Sequence, residues 1–279
     1  MMAECLPLID VAIELVDARI PFSSKNPDIA KMTENKPKFI VLNKSDLSDP
    51  EQNKKWLEYY KSTGYTAVLF DSKTKNRAAV SDIMKKITAV FSEKAQRNAE
   101  KGMRGRSLKI MVTGIPNVGK STFINCLCGK KLVKAEDRPG VTRGRQWISL
   151  GGGIDLLDMP GILWPKLENQ NSAKRLAMTG AIKDNVVDTE ALACDLLAIL
   201  RAHYEKNFRE RYKLTGELPE DDYDLLGLIA KKRGLILSGG RPDEERASVM
   251  LLDEFRAAKL GRITLDDIDQ LAPILKNIE

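Results

Sequence analysis

Histidine is almost absent from this chain: one residue in 279, His203. Cysteine is scarce too, with Cys5, Cys126, Cys128 and Cys194 scattered along the sequence. Cys126 and Cys128 stand one residue apart with no second pair to complete a zinc site, so neither a zinc module nor a disulfide framework is expected. The four read as buried thiols of a reducing compartment. No stretch approaches the roughly 18 apolar residues needed to cross a bilayer. Glu4 and Asp10 interrupt the first apolar stretch, which therefore does not read as a signal peptide. No internal repeat or low-complexity tract stands out. What is present is a chain 43% hydrophobic and 30% charged, with room for one large domain or two of ordinary size. A cytoplasmic monomer without a membrane partner is expected.

The net charge of +6 is unevenly placed. Residues 166–279 hold 18 Lys/Arg against 21 Asp/Glu, and subtraction from the totals leaves 27 against 18 in residues 1–165. Two basic clusters, Lys94 to Lys109 and Lys130 to Arg145, dominate the first part. Such segments suit a phosphate-rich partner such as RNA, and they are equally compatible with a solvated basic surface.

Short apolar runs alternate with helical patterns over the first 163 residues, which predicts an α/β domain with a mainly parallel sheet. Strands are expected at Val11–Val16, Phe39–Leu42, Ala67–Phe70, Leu108–Thr113, Gln146–Leu150 and Ile154–Leu157, with Gly151-Gly152-Gly153 as a hairpin turn. Helices are expected near Glu51–Thr63, Arg77–Lys101 and Lys120–Cys128, with a polar, basic bridge over Ser92–Arg106. After Pro165 the strand signal disappears. Asn171–Lys183, Thr189–Tyr204, Asp221–Lys232 and Asp243–Lys259 carry helix-spaced apolar positions, with Asp188, Pro219 and Pro242 as caps or starts. The chain is thus expected to divide into residues 1–164 and a smaller all-helical domain, residues 165–279.

Gly114-Ile115-Pro116-Asn117-Val118-Gly119-Lys120-Ser121 follows an apolar strand and opens a helix, the context of a phosphate-binding P-loop. Its glycines let backbone N–H groups turn inward, with Val118, Gly119, Lys120, Ser121 and Thr122 around the phosphates. Lys120 is expected to reach the β- and γ-phosphates and Ser121 to ligate Mg²⁺. Upstream lies Asn43-Lys44-Ser45-Asp46, again at a strand end. The Asp46 carboxylate can accept from guanine N1–H and the exocyclic amine, a donor pair that adenine lacks. Asn43 is expected at the base's other edge, and the Lys44 stem over one ring face. A turn with a helix cap remains the alternative for those four residues. Ser72-Lys73 would supply a backbone contact to guanine. Asp158-Met159-Pro160-Gly161 fits the Asp-x-x-Gly switch, in which Asp158 holds Mg²⁺ through water and the Gly161 amide senses the γ-phosphate. Thr142 sits between these elements, where the Mg²⁺-contacting switch threonine belongs. Lys120, Thr142 and Gly161 are the groups expected to act on the γ-phosphate.

This motif order, base reader first and P-loop second, resembles the circularly permuted GTPases, and in detail the ribosome biogenesis GTPase A (YlqF-type) family. Supporting segments are Glu14–Pro21, Asp137–Thr142, Pro160–Pro165, Thr179–Asp184 and Lys232-Arg233-Gly234. The resemblance covers nearly the whole chain. It implies a GTP-binding, GTP-hydrolysing factor that binds a late precursor of the large ribosomal subunit (ribosomal RNA and proteins) and leaves on hydrolysis.

Two departures concern hydrolysis. Ile162 follows Gly161, where many GTPases carry a water-orienting Gln. The resemblance implies a histidine in a segment before the first strand; here the chain starts close to that strand, and a truncated chain and a start placed too late are the two alternatives. His203, in a predicted helix, reads as surface. Asn117 occupies the position of the potassium-coordinating asparagine of monovalent-cation-dependent GTPases, or else supports the loop. Two other classes compete, a kinase or metabolic ATPase, which Asp46 disfavours, and a GTP-regulated protein-binding switch without nucleic acid. Because Gly161 leads directly into the helical region, that region is expected to shift between GTP and GDP states.

Overall fold

The computed structural model describes residues 5–71, 77–100, 107–129, 146–161, 163 and 169–275, with side chains left aside at 77 and 90–100. Six strands form one sheet: β1 Val11–Asp17, β2 Lys38–Asn43, β3 Thr66–Leu69, β4 Leu108–Gly114, β5 Gln146–Gly151 and β6 Ile154–Asp158, in the order β3-β2-β1-β4-β6-β5. Every pairing is parallel except β5 with β6. That hairpin turns on Gly151, Gly152 and Gly153, all at positive φ (81°, 61° and 77°), a conformation that side chains with a Cβ resist.

Both sheet faces are covered, which is why β1 is buried throughout, the charged Glu14 and Asp17 included. Ile13, Leu15, Val41, Ile110 and Val112 face a large core with Ile83, Ile87, Phe123 and Ile124. Val16, Ile40 and Leu42 face a second cluster with Trp56 and Tyr60. Of the helices α1 Pro27–Met32, α2 Pro50–Ser62, α3 Arg77–Glu100 and α4 Lys120–Cys128, α2 supplies Trp56 and Tyr60, α3 Ile83 and Ile87, and α4 Phe123 and Ile124. The chain grows outward from β1 through β2 to β3, and α3 returns it to the sheet centre at β4. From β4 it builds the other side through β6 and β5. The central neighbours β1 and β4 therefore feed opposite directions, a topological switch point whose carboxyl ends form a natural ligand crevice. This is a circularly permuted P-loop domain.

The following residues form α5 Gln170–Met178, α6 Thr189–His203, α7 Glu205–Tyr212, α8 Asp222–Lys232, α9 Glu244–Arg256 and α10 Ile268–Leu275. Side-chain caps start α5, α6, α8 and α9: Asn169, Asp188, Asp221 and Asp243 each accept a backbone N–H. The caps near Pro219 and Pro242 are thus the following aspartates rather than the prolines. Helix α5 ends earlier than its pattern suggests because Gly180 turns left-handed, φ 78°. Helices α1, α7 and α10 are too short to show a clear period. The last described stretch returns to the sheet domain, where Leu271 and Leu275 join the Trp56 and Tyr60 cluster. Among the described residues no helix is long and apolar enough to cross a membrane.

Candidate functional site

β4 delivers Gly114 to a position that no larger residue could hold: a Cβ there would lie 2.7 Å from the Leu15 carbonyl oxygen and 3.0 Å from Val118 Cγ1. The loop then turns through two left-handed residues, Asn117 (φ 58°) and Gly119 (φ 93°). Gly119 caps α4 without a side chain, so no side-chain oxygen takes the first N–H groups of that helix. Such an end suits an anion.

Lys120 is 6% exposed and donates to Asp158 Oδ1 at 2.5 Å, while Asp158 is 1% exposed. Burial raises the Asp158 pKa even against the neighbouring ammonium. Its other oxygen, Oδ2, is buried with no hydrogen-bond partner. A buried acceptor-only oxygen without a donor fits a hard cation, and Ser121, one residue beyond Lys120, adds a second oxygen of the type Mg²⁺ prefers. Gly161 packs on the P-loop backbone, where a Cβ would approach Pro116 Cα to 3.0 Å. The phosphate motif and the switch glycine are therefore in contact.

On the other side of the switch point, β2 ends at Asn43, fully buried. Its Nδ2 donates to the Val118 carbonyl at 2.7 Å, so the amide nitrogen ties the end of β2 to the P-loop. Lys44 is left-handed, φ 60°, and its Nζ lies 3.0 Å from Asp17 Oδ2. Ser45 N and Oγ both donate to the Phe70 carbonyl, and Asp46 is half-buried in the same loop. From the far end of the chain, Arg262 donates to the Ser45 and Ser48 carbonyls at 2.7 and 2.8 Å.

Asn117 Nδ2 donates to the Gly180 carbonyl at 2.8 Å, which joins the P-loop to the turn after α5. Arg256 braces that turn with bonds to the Met178 and Ala177 carbonyls and a salt bridge to Asp184. The fold thus brings Asn43, Lys44, Asp46, Asn117, Val118, Gly119, Lys120, Ser121, Thr122, Asp158 and Gly161 to one end of the sheet. Ser72, Lys73, Thr142 and Ile162 lie outside the described residues, as do residues 101–106 of the first basic cluster and the whole of the second. His203 is exposed and pairs with Gln270. Of the cysteines only Cys5 is buried; the other three are partly exposed, because their helices present them at the edge of the core, and all four are free. Among the described residues no His/Cys/Asp/Glu cluster could hold a metal.

Sequence reasoning missed the Asp17–Arg19 pair, Asp266 and Arg262. Asp17 and Arg19 carried a signal in the Glu14–Pro21 segment; Asp266 and Arg262 carried none.

Residues 109–231 match the family described as 50S ribosome-binding GTPase. The chain is 41% identical over 278 residues to ribosome biogenesis GTPase A of Bacillus cereus, covering 100% of this chain and 93% of that protein. It is 43% identical over 267 residues to the protein of the same name from Priestia megaterium, covering 95% and 92%. A solved structure of GDP-bound YlqF superposes with a TM-score of 0.68 at 27% identity, covering 96% of this chain and 99% of that one. The GNP-bound form from T. maritima gives 0.64 at 26% identity, covering 96% and 97%.

Proposed function

The chain belongs to the ribosome biogenesis GTPase A family, and on that premise we propose a GTP-dependent assembly factor that binds precursors of the large ribosomal subunit with GTP and leaves on hydrolysis. The chain is a GTPase. The observation that carries the site is the convergence of Lys120 and Asp158 at the carboxyl end of β4, with the orphaned Asp158 oxygen beside the uncapped start of α4.

Lys120 and the N–H groups from Val118 to Thr122 hold the β- and γ-phosphates. Ser121, Thr142 and Asp158 would hold Mg²⁺, which when bound neutralises charge on the phosphate oxygens. The Gly161 amide donates to the γ-phosphate, and its packing on Pro116 transmits that contact to the P-loop. Asp46 reads guanine, the Lys44 stem covers one ring face, and Ser72-Lys73 contact the base from the next strand end. Asn117, through its remaining carbonyl oxygen, is the residue suited to K⁺. GTP turnover is expected to rise in KCl over NaCl, and equal rates in matched salts would remove that assignment.

The domains divide near 164/165, and RNA is the partner class that the charge favours. Residues 1–165 carry the positive excess, and Lys231 and Lys232 stand exposed at the end of α8. The test pairs Lys120→Ala with Asp46→Asn. The first is expected to weaken GTP binding by about a hundredfold or more, because it removes the ammonium that meets the β- and γ-phosphates. The second is expected to relax guanine preference while phosphate binding persists. Unaltered GTP affinity in Lys120→Ala would sink the site. Cosedimentation with large-subunit particles under GTP analogue but not GDP, weakening with salt, tests the partner. Salt-insensitive capture by a protein alone would favour a protein-binding switch.

A further inference from the structure

The segment Glu14–Pro21 supported the family resemblance without any role of its own, and the fold supplies one. β1 ends on Asp17, and Arg19 turns back so that Nε and Nη2 donate to its two carboxylate oxygens at 2.9 and 2.7 Å. The Arg19 backbone N–H donates to the same group at 3.0 Å. Both side chains are 2% exposed. The Asp17 oxygen that faces Nη2 also receives Lys44 Nζ, the lysine of the base-reading loop. Burial pushes the Asp17 pKa up, but Arg19 and Lys44 outweigh it and hold the carboxyl ionised, well below the usual range.

Arg19 is in turn seated on the helical region. Its guanidinium carbon lies 5.5 Å from the centre of the Phe255 ring, and Nη1 reaches the Arg256 carbonyl at 3.5 Å. Phe255 is buried, and these two residues close α9. A lysine side chain left to solvent samples many rotamers, and ordering its stem against a ring costs entropy. Lys44 enters from a left-handed backbone that non-glycine residues seldom adopt. Fixing Nζ on a carboxylate that is itself locked by a planar fork removes much of that freedom before any base arrives.

The geometry points to Arg19 as a positioning residue for guanine recognition: through Asp17 it fixes Lys44, and its seat on Phe255 makes base affinity depend on a helix that touches no nucleotide. This rests on Asn43–Asp46 being the base-reading loop. Arg19→Lys keeps the charge and loses the fork and the stack; Phe255→Leu keeps an apolar plug and loses the ring face.

Affinities for GDP and for inorganic triphosphate, measured on the full chain, test the role. GDP affinity is expected to fall about tenfold in Arg19→Lys and about threefold in Phe255→Leu. Inorganic triphosphate, which engages only the P-loop, is expected to compete as in the wild type. Wild-type GDP affinity in Arg19→Lys overturns the role, and so does an equal loss for both probes, the mark of general collapse. Should Arg19→Lys not fold, Phe255→Leu decides by the same two probes. Asp46→Asn, measured alongside, separates the two readings. If it leaves guanine preference intact, the base loop itself is misassigned; if it relaxes preference while Arg19→Lys binds GDP normally, only the positioning role fails.

Discussion

The two halves of the sheet meet the helical region in different ways. The half that would hold the base, β1 to β3 with their loops, is bound to it repeatedly among the described residues. Leu265 N donates to the Arg19 carbonyl and Ile263 N to that of Leu47. Trp56 Nε1 donates to the Asp266 carbonyl at 2.8 Å, and Tyr204 OH bonds Asp49. Asp266, fully buried, accepts from Ser23 N, Ser23 Oγ and Arg175 at once. The half that would hold the phosphates, β4 to β6, offers Asn117 to Gly180, a neutral bond. Charge-assisted and buried bonds are stronger and harder to break than a single neutral one. The two halves of the sheet are themselves held together by the β1–β4 ladder, so the helical region is hydrogen-bonded mainly along the base half and more lightly at the P-loop, where it still shares a core with Ile115 and Val118. If the helical region shifts when the γ-phosphate leaves, the expected hinge is the base-half seam and the expected opening is at Asn117–Gly180.

The largest test breaks the heavy side of the comparison. Asp266→Ala removes the acceptor shared by Arg175 and the two Ser23 donors. It is expected to destabilise the chain by about 3–5 kcal/mol in chemical denaturation, the usual cost of leaving one member of a buried pair. A loss below the spread of ordinary surface substitutions would show that the backbone bonds of residues 263–265 carry the seam alone.

The next test uses pH. Glu14, inside β1, accepts from Asn26 N at 2.7 Å, in the loop that presents Ser23 to Asp266. Burial pushes its pKa from 4.5 to about 7, against the backbone bond from Asn26 and the nearby Lys25 and Lys38. Below pH 4.5 both folded and unfolded chains hold the proton. Between 4.5 and about 7 only the folded chain holds it, so this group's contribution to stability falls as pH rises through that window. Glu14→Gln is expected to flatten the dependence and to gain at most about 3 kcal/mol at pH 8, with no gain at pH 4. Parallel pH profiles for the two proteins would refute the assignment.

The smallest test addresses the light side. Asn117→Ala removes the tie to Gly180 and is expected to cost about 1 kcal/mol. Its diagnostic readout is distance. Labels attached through non-cysteine chemistry at Lys61, Ser149 and Lys206 report base half, phosphate half and helices. If the helical region hinges on the base half, Ser149–Lys206 should change between GDP and a non-hydrolysable GTP analogue, Lys61–Lys206 should change less, and Lys61–Ser149, across the one sheet, should stay fixed. An equal change in Lys61–Lys206 would show that the base half does not carry the hinge.

Much of this molecule was readable without coordinates because its chemistry is local. A P-loop needs glycine where the backbone turns left-handed and lysine at the helix start, and those neighbours are consecutive in the chain. Strands and helix caps are equally short-range, which is why Val11–Asp17 and Lys120–Cys128 were anticipated almost to the residue. The order of the motifs, base reader before P-loop, even announced the permutation.

Pairings were another matter. Asn43, expected at a base edge, donates its amide nitrogen to Val118, and Asn117, expected at a cation, donates its own to Gly180. Ser23 finds Asp266, and Arg19 finds Phe255, across nearly the whole length of the chain. A side chain with several donors and acceptors is compatible with many partners until packing brings one within reach. Local propensity could therefore assign residues to a site, and only the closed fold could say which of them hold one another.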